Sequence, residues 1–106
     1  MAGEDIRVHA RIHLLPTSQG GRGVPIPGGT SYRPNHNFFG PDNREMAVGL
    51  IDLPADQVLY PGETVDLDMT FLHWPWSPSE LHPGRDWVIQ EGALVVGVGT
   101  VLSVID

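Results

Sequence analysis

Arg7, His9, Arg11 and His13 occupy alternate positions near the start of the chain, so an extended backbone would carry all four on one face. Such a row could meet an acidic partner or phosphate. It could equally pair with carboxylates of the same chain, and Asp66 and Asp68 show the matching two-residue spacing. No metal site is expected here, because His9 and His13 would stand ~13 Å apart along a strand. No acid or cysteine at ligand spacing completes a set with His36, His73 or His82. Catalysis is not expected either: Ser18 lacks a Gly-x-Ser-x-Gly elbow, and Asp66 and Asp68 on a polar strand face lack the separated pKa values that acid–base chemistry requires. The six basic residues are all arginine, so a G-x-x-x-x-G-K-[ST] phosphate loop cannot exist. The chain is therefore expected to be no enzyme, with no cofactor, no metal and no bound GTP.

Charge narrows the partners further. The net charge of −7 argues against a general phosphate-binding surface, since nucleic-acid affinity rests on Lys and Arg releasing counterions. The average hides an asymmetry. Arg7, Arg11, Arg22 and Arg33 fall in a stretch from Ile6 to Pro41 that has no acid, whereas most of the carboxylates follow Pro41. Trp74 and Trp76 flank Pro75, where large aromatic surface either packs over the end of the fold or anchors a partner.

The elements that must position these groups read as strands. Ile6, Val8, Ala10, Ile12 and Leu14 alternate with the cationic row, and Val65, Leu67, Met69 and Phe71 alternate with Thr64, Asp66, Asp68 and Thr70 after a Pro61-Gly62 turn. Met46 to Leu53, Trp87 to Gln90 and Leu94 to Ile105 supply further apolar runs, and His36 to Phe39 a short one. Gly40-Pro41-Asp42-Asn43 and Glu91-Gly92 read as turns, and Pro16 to Pro34, rich in Gly and Pro, as a long loop. Gly97 and Gly99 inside the last strand signal a bend or a close backbone approach. About six strands with no crossover helix predict one all-β domain over residues 1–106, a six-stranded antiparallel closed barrel. No apolar stretch approaches the ~20 residues of a membrane span, and the N-terminus lacks signal-peptide character, so a cytoplasmic, non-membrane protein is expected.

The order of Gly20-Gly21-Arg22, Tyr32-Arg33-Pro34, Leu53-Pro54, Pro61-Gly62-Glu63, Glu91-Gly92 and Val96-Gly97-Val98-Gly99 resembles the third, C-terminal barrel domain of translation elongation factor Tu, over about residues 6–105. That resemblance implies the same barrel fold, here as a stand-alone domain without the GTPase part. In the family this domain helps to hold the T stem of aminoacyl-tRNA and packs against the GTPase domain. By resemblance, Arg22, Arg33, Asn35, Glu91 and Gly92 form the RNA-binding candidates. The departures weaken that surface: Gly23 stands where the family has His, Gln90 and Leu94 replace two arginines, and Asp86 replaces a third basic position. Loops are also lengthened near residues 26–31 and 39–45. The sequence thus leads to a non-catalytic module binding a protein partner linked to translation or to a toxin that targets the elongation factor. His73, Trp74 and Trp76 are the candidate contacts, and weakened tRNA binding is the alternative.

Overall fold

A computed structural model of the chain describes residues 5–29, 31–40, 46–73 and 77–105. Among the described residues there are nine strands: β1 (Ile6–Leu14), β2 (Ile26–Pro27), β3 (Ser31–Tyr32), β4 (Asn35–Asn37), β5 (Ala47–Asp52), β6 (Val58–Leu59), β7 (Thr64–Phe71), β8 (Asp86–Glu91) and β9 (Leu94–Ile105). A single helical turn, α1 (Ser77–Glu80), precedes β8. Every pairing is antiparallel, and six strands close on themselves in the order β4–β5–β7–β1–β9–β8, β8 returning to β4. This is the closed six-stranded barrel the sequence predicts.

Two-residue periodicity builds the wall. Val8, Ala10, Ile12 and Leu14 of β1 and Leu67, Met69 and Phe71 of β7 are buried, and their polar alternates point outward. Burial of this apolar set is the main force holding the closed form. The longest strand, β9, runs past β8 and β1 with register shifts at Ile89/Gln90 and at His9/Ala10, and such bulges turn a strand around a barrel. Its glycines mark close approach: a Cβ on Gly99 would lie 2.3 Å from the Trp87 indole, and one on Gly97 would lie 2.6 Å from the His13 carbonyl oxygen.

The remaining expectations need adjustment. The loop from Pro16 to Pro34 contains structure that its composition hides, namely a 3-10 turn at Thr17–Gln19, β2 paired with β6, and β3 paired with β5. The strand read as His36 to Phe39 is instead Asn35–Asn37. The Asn37 side-chain oxygen accepts the amides of Phe39 and Gly40 and ends the strand in a local turn. Gly40 has φ +107°, and the rest of the turn expected at 40–43 lies outside the described residues. The helical turn α1 has no counterpart in the sequence reading. No helix is long and apolar enough to cross a membrane among the described residues.

Candidate functional site

The cationic row of β1 faces its own acids. Because β1 and β7 pair with His9 opposite Asp68 and Arg11 opposite Asp66, side chains on the outer face meet directly. Arg11 Nε and Nη2 donate to the two Asp66 carboxylate oxygens at 2.8 and 3.0 Å. This bidentate bond, and then the guanidinium charge, holds the Asp66 carboxyl below its ordinary pKa and raises that of Arg11. His9 Nδ1 lies 2.8 Å from Asp68 Oδ1, Arg7 approaches the same carboxylate at 3.6 Å, and His13 Nδ1 lies 2.9 Å from Thr64 Oγ1. Of the two readings open for this row, internal pairing is the one the structure has. A shallow open depression of about 420 Å³ beside β7 is lined by Arg7, Asp66 and Asp68 among others, so its charged groups already have partners. No group of three or more potential ligands is placed to hold a metal among the described residues.

A second polar cluster sits at the rim, where the β8–β9 hairpin turns at Gly92 with φ +61°. Glu91, at the end of β8, accepts a short hydrogen bond from the Tyr32 hydroxyl and pairs with Arg22 Nε at 3.5 Å. The Arg22 guanidinium also lies 5.4 Å from the centre of the Tyr32 ring. Burial, then the Glu91 bond and charge, raises the Tyr32 pKa, so the phenol stays a donor. The contacts fasten the loop carrying Arg22, the short strand β3 and the hairpin to one another. Asn35 stands opposite Gln90, and Asn37 Nδ2 donates to Gln90 Oε1 at 2.8 Å.

Arg22, Asn35, Glu91 and Gly92, nominated from resemblance, therefore share one neighbourhood, and Arg33, next to Tyr32 in the chain, is exposed. Sequence reasoning missed Tyr32 as the central link, although it sits inside the Tyr-Arg-Pro motif. Of the protein-binding candidates, His73 is exposed, and its amide donates to Asp5 Oδ1 at 3.0 Å. Trp74 and Trp76 lie outside the described residues.

Inside the barrel, His36 is fully buried. Its Nε2 donates to the Gly49 carbonyl at 3.2 Å while Nδ1 accepts the Trp87 indole N–H at 2.8 Å, and Phe71 meets the ring edge-on. Desolvation lowers its pKa to about 4, so the neutral ring with hydrogen on Nε2 is the form the core accepts. Its place beside apolar Phe38 in a run with no charged neighbour was the available signal.

The fold and its surface define a class: a small closed antiparallel barrel with ion pairs along its outer wall and a polar cluster at its rim. Its similarity lies with elongation factor Tu. Over 100 residues, 94% of this chain, it is 36% identical to elongation factor Tu 2 of Streptomyces avermitilis. The chain spans 23% of that relative's length, the extent of a single domain. No family model matches the chain. The resemblance to an elongation factor Tu barrel domain, read first from the order of turn residues, is borne out.

Proposed function

We propose that this barrel is a non-catalytic binding module that engages a protein partner linked to translation. The fate of its arginines carries the reading. Arg7, Arg11, Arg22 and Arg85 each lie within ion-pair distance of a carboxylate of this chain, and of the described arginines only Arg33 does not. Nucleic-acid affinity requires cations that can exchange counterions for phosphates, and few remain for that. The match to a quarter of an elongation factor, together with a sequence that cannot form a lysine-bearing phosphate loop, supports a role without GTP hydrolysis. A protein that recognises elongation factor Tu, a GTPase domain on another chain, or a toxin directed at the factor are the partner classes this fits.

The segment of His73, Trp74 and Trp76 is the proposed anchor, because tryptophans beside a rigid strand end supply interface energy at low entropic cost. An affinity pull-down tests it: the Trp74→Ala/Trp76→Ala variant is expected to lose proteins that wild type enriches, and unchanged enrichment would remove the segment from the reading. Weak tRNA binding is the second reading, favoured by the gathering of Arg22, Asn35, Glu91 and Gly92 at one rim beside exposed Arg33.

A further inference from the structure

The outside of the barrel has two unlike walls. Along β1 and β7 the outward positions hold charged or polar groups bonded across the strands. Across β5, β4, β8 and β9 the charged outward residues Asp52 and Asp86 stand at strand ends, and the outward positions between them carry no charge. Val48, Asn35 and Val95 are linked through the pairs Asn35↔Val48, Asn35↔Gln90 and Gln90↔Val95, with the Gln90 side chain itself buried, and the pair Val88↔Val98 widens the strip. Val48, Val95 and Val98 are 50%, 39% and 37% exposed. These valines are not filling the core, because the same strands turn Ala47, His36, Ile89 and Val96 inward for that purpose. A charge-depleted centre edged by the Arg22–Glu91 pair and by Asp86, which accepts the Thr100 hydroxyl, has the make-up of an interface core and its polar rim.

We infer that this valine and amide wall is a docking surface for a different protein, one that is net basic and presents an uncharged apolar patch. The inference rests on the protein-binding reading above and adds the face and the partner's chemistry. Charge selects the occupant. Asp5, Asp56, Glu63 and Asp86 have no cationic partner among the described residues, and the chain carries a net −7. That field attracts a cationic partner and holds two copies of this chain apart. RNA does not fit the wall, which offers no cation to a phosphate. At its β5 end the strip comes next to the backbone that leads into His73, since the Val48 carbonyl accepts the Leu72 amide at 2.9 Å.

The test uses the whole chain. Proteins captured by wild type are identified, purified and titrated against wild type, a Val95→Asp/Val98→Asp variant and the Trp74→Ala/Trp76→Ala variant, at 50 mM and 300 mM salt. Circular dichroism and the Trp fluorescence spectrum confirm that each variant keeps the barrel. Expected is a captured protein of net positive charge whose affinity falls at least tenfold with the valine variant and weakens at the higher salt. A folded valine variant that binds as wild type does, or a captured partner of net negative charge, would overturn the inference while leaving the protein-binding reading intact. Failure of wild type to hold any purified protein would overturn both. A conservative Val98→Thr variant guards against misfolding and is expected to lose only a fewfold. Dimerisation of wild type in sedimentation, abolished by Val98→Asp, would overturn the choice of partner.

Discussion

At the scale of single residues the decisive group is His36, which the sequence offers only as one of five histidines. Burial among Phe71, Trp87 and Gly49 makes it a neutral core group, and the sign of its effect on stability follows. Its folded pKa, about 4, lies below the ordinary value of 6.5, so the unfolded chain binds the proton more readily. The contribution is fully present above pH ~6.5 and is lost as pH falls from there through about 4, a change on the order of 3 kcal/mol. Urea unfolding at pH 7 and pH 4.5 should show this loss. His36→Gln, which cannot titrate, is expected to start less stable at pH 7 but to have a flatter dependence over the same interval. An unchanged slope would mean that other groups set the acid response. Gly99 makes the second prediction at this scale: Gly99→Ala sets a methyl against the Trp87 indole and should cost about 1–3 kcal/mol in the same assay, whereas Gly23→Ala, with open space around it, should cost little.

At the scale of elements, the rim cluster joins segments far apart in the chain. Removing the Tyr32 hydroxyl in Tyr32→Phe frees Glu91 from its shortest bond and should cost about 1 kcal/mol. Amide hydrogen exchange should rise around Gly20 to Pro27 and around Gly92, and protection unchanged in both would show that the cluster fastens nothing. What the sequence could reveal of these elements depended on periodicity. β1 and β7 alternate cleanly over eight or nine residues, so their inward and outward faces were readable in advance. β2, β3 and β6 are two residues long, too short for any period; β3 forms against wall strand β5, and β2 and β6 form against each other as a separate ribbon. β4 ended early because an Asn side chain captured two amides, a local competition that hydrophobic pattern does not register. The candidate site was legible in its residue types, with Arg22, Asn35, Glu91 and Gly92 brought together. Its wiring was not, because whether an arginine faces solvent or a carboxylate of the same chain is decided by register between distant strands.

At the scale of the whole molecule, closure gives each of the six wall strands two neighbours, and rigid scaffolds of this kind generally carry binding residues on their surface and loops. Fluorescent GTP titrated to 100 μM should give no saturable signal, since the sequence holds no phosphate loop. In the proposed reading four of the five described arginines are engaged internally and the partner is a protein. Filter binding of a tRNA at low salt, with protein in the micromolar range, tests it most directly. No saturable retention is expected for wild type. Saturable binding that falls steeply with added salt and disappears in Arg22→Ala would contradict it.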